Sequence, residues 1–193
     1  MENMAIINYA QLIERSQVNG PGNRAVIWVQ GCPIHCFGCA NKEFQPFIKN
    51  KSITVEEMAE KILSIKELDG ITYSGGEPFC QARPLAELAK ILKAANNSFN
   101  IITYTGYTIE EIRRKNRKNW NELLSITDLP ITDLLIDGRF IQELADKNLY
   151  LRGSSNQKLH YLTDKIPKRD TDTYSFELHL TLDGLAKITG FIP

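Results

Sequence analysis

An α/β fold with a parallel sheet is the architecture predicted for these 193 residues, on three observations. Short β-branched runs alternate with stretches of helical periodicity, as in strand–helix–strand crossovers. Each of the four leading runs stops at a glycine or an Asp-Gly pair, where strands break into loops. The composition is that of a globular chain, 42% hydrophobic and 24% charged, which excludes disordered, fibrous and low-complexity classes.

The elements follow in order. Ala25–Val29 is a continuous apolar run and reads as a buried strand. Thr54–Ile65 places Val55, Met58, Ala59, Ile62 and Leu63 at helical spacing behind a Thr cap. Ile71–Tyr73 is a second strand, stopped by a double glycine. Pro84–Ala95 is a helix with Pro at its start and Leu85, Leu88, Ala89 and Leu92 on one face. Asn100–Thr105 is the third strand. Thr108–Leu124 is a helix opened by a Thr108–Glu111 capping box. Thr132–Ile136 is the fourth strand. Ser175–Leu182 then alternates Phe176, Leu178, Leu180 and Leu182 against Glu177, His179 and Thr181. Asp183-Gly184 turns it back through Leu185–Ile192, an antiparallel ribbon whose expected role is to cover an open sheet edge. One domain is expected over residues 1–193, with a core at about 19–160 and the ribbon extension at about 162–193.

Lys plus Arg and Asp plus Glu both number 23, so the net charge is zero and no nucleic-acid or membrane-surface footprint is expected. Arg113, Arg114, Lys115, Arg117 and Lys118 read as a solvated helix end. No apolar run approaches the roughly 20 residues of a membrane helix, and the N-terminus lacks a signal-peptide pattern. The expected location is the cytoplasm, where reduced thiolates can hold metal.

Four cysteines are too few for a disulfide scaffold, and three crowd together. Cys32, Cys36 and Cys39 form C-x3-C-x2-C on the loop after the first predicted strand. Three thiolates on one tight loop can converge on a single metal centre. Structural zinc and four-iron clusters both usually take four protein ligands; a fourth here would have to be Cys80 or His35. Three thiolates leave one iron open to bind and reduce a ligand, which points to catalysis. Active sites of parallel α/β folds lie at the carboxyl ends of the strands. Gly31-Cys32, Ser74-Gly75-Gly76-Glu77-Pro78, Thr105-Gly106 and Asp137-Gly138-Arg139 all fall at such ends. Read blandly, the cysteines are a zinc loop, Ser74–Glu77 an ordinary turn, Asp137 a turn residue, Cys80 an inert buried thiol and His35 exposed.

With these motifs, and with Asn19-Gly20-Pro21-Gly22, Tyr104-Thr105-Gly106-Tyr107, Asp137-Gly138-Arg139-Phe140 and Arg152–Gln157, the chain resembles the radical S-adenosylmethionine (SAM) enzymes. Within that superfamily it is similar to the activases of anaerobic (class III) ribonucleotide reductase, over about Asn19–His160. The resemblance implies a partial, open parallel (β/α) barrel of five or six strands plus the ribbon, since a closed barrel typically needs about 250 residues. It implies a [4Fe–4S] cluster on Cys32, Cys36 and Cys39, with the SAM amino and carboxylate groups on the open iron. One electron then cleaves the sulfonium to methionine and a 5′-deoxyadenosyl radical, which takes a hydrogen atom from a polypeptide.

By the same resemblance, the backbone at Ser74, Gly75 and Gly76 pairs with the methionine amino group and Glu77 stabilises that ammonium. The backbone near Gly38 meets the adenine edge, and Asn41 belongs to the cofactor-binding set. Thr105, Asp137, Arg139 and Asn156 line the sulfonium, ribose or carboxylate; Asp137 could instead hold a monovalent cation. The implied partners are a glycyl radical enzyme and a one-electron donor such as flavodoxin or ferredoxin, with no nucleic acid and no membrane. Two alternatives stay open: a radical SAM maturase of a ribosomally made precursor peptide, for which the ribbon offers an edge, and a non-catalytic Fe–S or zinc protein.

Overall fold

The computed structural model describes residues 5–115, 120, 123, 131–169, 176–180 and 186–190. In chain order these form β1 (Ile6–Ser16), β2 (Arg24–Val29), β3 (Lys51–Thr54), α1 (Val55–Ser64), β4 (Gly70–Gly75), α2 (Ala82–Ala95), β5 (Asn100–Tyr104), α3 (Ile109–Lys115), β6 (Leu134–Asp137), β7 (Lys158–Tyr161), β8 (Phe176–Leu180) and β9 (Ala186–Gly190). The main sheet runs β3-β1-β2-β4-β5-β6-β7. Its centre, β2-β4-β5-β6, is parallel. Its flanks are antiparallel: β1 on β2, β3 on β1 and β7 on β6.

The four parallel strands coincide with the four predicted runs. The strand count differs, because β1, β3 and β7 bring the sheet to seven. β1 escapes a period-2 reading because its pairing to β2 slips twice, between Tyr9 and Gln11 and between Ile13 and Ser16. β3 and β7 have four residues each and no buried apolar side chain.

Helix starts follow their caps. The Thr54 Oγ1 accepts the Glu57 N–H at 3.2 Å and the Glu57 carboxylate accepts the Thr54 N–H at 3.0 Å. Thr108 and Glu111 repeat the exchange at 3.1 and 2.9 Å. The α2 helix begins at Ala82, so Pro84 sits in its first turn, where its missing N–H costs no bond. Residues 116–119, 121–122 and 124, which complete the predicted Thr108–Leu124 helix, lie outside the described residues, as does the Asp183-Gly184 turn.

One sheet face carries Ala25, Ile27, Ile71, Tyr73, Ile101 and Leu135 against Val55, Met58, Ala59 and Ile62 of α1 and Leu85, Leu88 and Leu92 of α2. Leu63 is the exception to the predicted apolar face and stays exposed. The opposite face packs Ile102, Leu134 and Ile136 under Tyr150, Leu151 and Ile166.

Two buried charges stand at the amino ends of the parallel strands. Arg24 is fully buried and donates to the Thr72 hydroxyl (2.8 Å), the Asn100 side chain (2.5 Å) and the carbonyls of Pro21, Ile71 and Asn100. Burial draws its pKa down to about 10. Asp133, also fully buried, accepts the Ile101 N–H at 2.7 Å, the Thr163 hydroxyl at 2.7 Å and the Lys93 ammonium at 2.8 Å.

Among the described residues the ribbon forms its own two-stranded sheet and pairs with neither edge strand, β3 or β7, so the expected covering of an edge is not made by strand pairing. Its polar side faces the body. The Glu177 carboxylate accepts the Gln17 N–H at 2.7 Å, and the buried Thr189 hydroxyl accepts the Asn19 side-chain amide at 2.8 Å. Among the described residues, no helix is long and apolar enough to cross a membrane.

Candidate functional site

The site lies at the carboxyl ends of the parallel strands. After β2, the cysteine loop is held by its backbone: the Gly31 N–H donates to the Phe44 carbonyl and the Cys32 N–H to the Gln45 carbonyl, both at 2.8 Å. On its other side the Glu77 N–H donates to the Gly31 carbonyl at 2.8 Å and the Gly76 N–H to the Val29 carbonyl at 2.8 Å. This proximity is what the double glycine permits. A Cβ on Gly75 would stand 2.6 Å from the Trp28 Cα, and one on Gly76 would overlap the Gly31 carbonyl. Gly75 also holds a φ of 101°, which only glycine adopts without strain. The glycines are thus required first by the closeness of the cysteine loop itself.

Cys32, Cys36 and Cys39 are half-buried and line one cavity. The same cavity is bounded by Ser74, Gly75, Gly76 and Glu77 after β4, by Tyr104, Thr105 and Gly106 after β5, and by Gly138, Phe140 and Gln157 beyond β6. Burial pushes the Cys32 and Cys36 thiols up, against backbone hydrogen bonds from Ile34 and His35 to the first and from Phe140 to the second. The Asn41 N–H donates to the Cys39 sulfur at 3.4 Å. Among the described residues, no three His, Cys, Asp or Glu side chains are gathered closely enough to hold one metal ion; the thiols stand around the shared cavity.

The remaining predicted residues divide. Glu77 reaches the cavity but is 1% exposed, and its carboxylate accepts from the Phe79 N–H, the Thr105 hydroxyl and the Gly106 N–H, each at 2.9 Å. Burial raises its pKa to about 7 despite these donors. Gly38 stands beside the cavity, packed on Gln142 and Phe140. Asp137 turns away from the cavity: its carboxylate accepts the Ile109 N–H at 2.6 Å, at the start of α3, and meets the His160 Nε2 at 2.9 Å. Arg139 is exposed and faces both Glu111 oxygens at 3.3 Å. Asn156 donates to the Arg139 carbonyl at 2.8 Å, while its buried Oδ1 has no partner. Cys80, expected as a buried thiol, is exposed. His35 is exposed, with its Nδ1 3.2 Å from the Gln45 side chain.

Several lining residues were absent from the sequence-based set: Ile34, Gln45, Tyr104, Gly106, Phe140 and Gln157. Gln157 carries the most structure. Its Oε1 accepts the Gly153 and Ser154 N–H groups and its Nε2 donates to the Gly138 carbonyl, so it braces the wall it lines. Its place in the Arg152–Gln157 motif was the available signal.

The donor set suits a soft, thiolate-held iron or zinc centre, because three half-buried sulfurs line one cavity and a bound metal deprotonates a coordinating thiol outright. The unpartnered Asn156 Oδ1 is buried next to the cavity-lining Gln157, while Asn156 itself is not among the lining residues.

Comparison with known proteins agrees with this donor set. The model of the 4Fe–4S single cluster domain family matches residues 18–160. The anaerobic ribonucleoside-triphosphate reductase-activating protein of Vibrio cholerae is 35% identical over 164 residues, covering 81% of this chain and 99% of that one. Its counterpart in Escherichia coli K12 is 32% identical, with the same coverage. The counterpart in Enterobacteria phage T4 is 34% identical over 172 residues, covering 85% of this chain and 100% of that one. A crystal structure of QueE from Escherichia coli overlays 54% of each chain, at a TM-score of 0.40 and 20% identity. By these matches the chain belongs to the 4Fe–4S single cluster domain family and to the activating proteins of anaerobic ribonucleoside-triphosphate reductase.

Proposed function

We propose that the chain is a radical SAM activase that abstracts hydrogen from a glycyl radical enzyme, the anaerobic ribonucleotide reductase, and that its open, mostly parallel sheet serves as a partial (β/α) barrel. The observation that carries this reading is the sharing of one cavity by three half-buried cysteines and the glycine-bearing end of β4. Bound there, a [4Fe–4S] cluster held by Cys32, Cys36 and Cys39 and SAM beside it would supply one-electron radical chemistry.

The chain's own residues hold and aim. Cys32, Cys36 and Cys39 are the cluster ligands, and the Asn41 N–H supports the Cys39 thiolate. The edge at Ser74, Gly75 and Gly76 offers backbone to the methionine amino group. Glu77, buried behind it, favours that ammonium through its field once it ionises near pH 7, since its oxygens are already engaged by protein donors. Asn156, which donates to the Arg139 carbonyl, serves the ribose side from behind the wall that Gln157 fixes. Asp137 and Thr105 act by positioning: the first seats the start of α3 and the second ties β5 to Glu77. A reducing donor of the flavodoxin or ferredoxin kind completes the system.

The test is anaerobic. Cluster-reconstituted protein with dithionite and SAM is expected to release 5′-deoxyadenosine. With anaerobic reductase added, it is expected to raise a persistent glycyl-radical EPR signal. An intact, reduced cluster that releases no 5′-deoxyadenosine overturns the enzyme reading. Cleavage without a glycyl radical on the reductase overturns the assigned substrate.

A further inference from the structure

Exposed apolar side chains gather around the cysteine cavity. Outside the ribbon, eight large ones are exposed among the described residues. Five of these, Phe37, Phe47, Ile48, Ile141 and Leu144, belong to the cysteine loop or to the two segments packed against it. Those segments form two banks of opposite charge. Residues 42–51 carry Lys42, Lys49 and Lys51 against Glu43 alone, whereas residues 141–147 carry Glu143 and Asp146 against Lys147.

The cationic bank is also fixed in place. Besides the Phe44 and Gln45 carbonyls that hold Gly31 and Cys32, its Pro46 carbonyl accepts the Gln30 side chain at 2.7 Å. Its Ile48 carbonyl accepts the Asn8 side-chain amide at 2.8 Å, and its Asn50 N–H donates back to the Asn8 side chain at 2.9 Å. The Phe47 ring rests on Gly31. Yet Phe47 and Ile48 remain 66% and 55% exposed. Lys42, Lys49 and Lys51 are exposed as well, and none of the three is in an ion pair among the described residues, although Lys51 lies over the Tyr9 ring at 5.9 Å. Apolar side chains ringed by one sign of charge, on a backbone already ordered, are a preorganised docking surface.

We infer that this bank docks the one-electron donor, a small carrier protein that is acidic around its own redox centre. Charge selects that occupant, since an acidic rim meets Lys42, Lys49 and Lys51 here and would meet Glu143 and Asp146 on the opposite bank. Place selects it too. The Gln45 carbonyl accepts the Cys32 N–H, so a carrier seated on Phe47 and Ile48 stands one backbone hydrogen bond from the first cavity cysteine. A polypeptide that surrenders a hydrogen atom has to reach into the cavity; an electron has only to reach the loop. In the transfer the carrier loses one electron and the cluster gains it, and no proton or bond changes hands. The inference rests on the proposed function for its need of an electron, and adds where that electron enters.

The test titrates flavodoxin into the full-length, cluster-loaded protein by calorimetry. In parallel, 5′-deoxyadenosine release is driven either by photoreduced flavodoxin or by dithionite. Lys42→Glu/Lys49→Glu is expected to weaken flavodoxin binding by about fivefold or more at about 50 mM salt, with the gap closing at about 500 mM. Flavodoxin-driven release is expected to fall with it. Dithionite-driven release and the glycyl radical it raises on the reductase are expected to stay at wild-type levels. Lys66→Glu/Lys90→Glu makes the same charge change on exposed lysines before β4 and on α2, and is expected to leave flavodoxin binding unaltered. Unchanged affinity in the Lys42/Lys49 variant overturns the inference, as does a wild type that binds no flavodoxin. An equal loss in the Lys66/Lys90 variant also overturns it, because net charge alone would then account for the effect. Loss of the dithionite-driven glycyl radical with flavodoxin affinity intact assigns the bank to the reductase instead. A wild type that releases no 5′-deoxyadenosine even with dithionite defeats the proposed function, and the calorimetry still decides the docking surface by itself.

Discussion

The carboxylate of Glu77 accepts the hydroxyl of Thr105 at 2.9 Å, a buried side-chain bridge from the end of β4 to the end of β5 at the wall of the cavity. Burial holds the Glu77 pKa at about 7, so the folded protein keeps a proton that the unfolded chain releases near 4.5. The contribution is therefore unfavourable at higher pH: stability falls as pH rises from about 4.5 to about 7, by on the order of 3 kcal/mol. Glu77→Gln removes that titration. Urea unfolding of the metal-free protein at several pH values is expected to show a shallower decline for the variant across this window, and parallel curves would contradict the assignment.

The three cavity cysteines and Cys80 separate cleanly by variant. Cys32→Ala, Cys36→Ala and Cys39→Ala are each expected to lose the cluster absorbance and 5′-deoxyadenosine release together. Cys80→Ser, at an exposed position outside the cavity lining, is expected to retain both. Iron content and product release on the four purified variants check this.

Gly76→Ala places a methyl group against the Gly31 carbonyl, at the root of the cysteine loop. Since that carbonyl is also the acceptor for Glu77, the loop has to shift. The expected result is a loss of about 1–3 kcal/mol, the usual size of overpacking strain, accompanied by incomplete cluster loading. Thermal melts and iron-to-protein ratios measure the two effects separately.

Asp133 lies far from the cavity but holds together β5, β6 and α2 through Ile101, Thr163 and Lys93. Removing it strands a buried N–H and leaves a largely buried ammonium without its carboxylate. Asp133→Ala is expected to cost about 3–5 kcal/mol, visible as a lower denaturant midpoint. Asp133→Asn, which keeps the oxygen for Ile101, is expected to recover part of that loss.

The helices and the central strands were legible because each buries a regular subset of residues. The α1 and α2 stripes are read at helical spacing, and β2, enclosed on both faces, is an unbroken apolar run. What was illegible lacked such a subset. In β1 one register slip breaks the alternation between Ile7 and Ile13 and a second breaks it between Ile13 and Ser16. Within β7 the chain exposes Lys158 and only half-buries Leu159, His160 and Tyr161, so its strand character comes from pairing with β6.

The site divides in the same way. Cysteine spacing is a local property and is written in nine consecutive residues from Gly31 to Cys39. The steric demand on Gly75 and Gly76 is not local, since it is imposed by Trp28 and Gly31 on a neighbouring strand and its loop. Asp137 is the sharpest case. At a strand end beside Gly138 it reads as a ligand residue, yet its carboxylate is taken up by the Ile109 N–H and His160, a pairing that depends on where α3 and β7 arrive.

The backbone anchoring of the cysteine loop has a consequence for how the protein matures. Gly31 and Cys32 are tied to Phe44 and Gln45, and the Gly31 carbonyl to Glu77, by bonds that involve no thiol. A zinc finger gains its shape from its ion and is a coil without it. Here the scaffold can be finished at the ribosome and iron delivered afterwards.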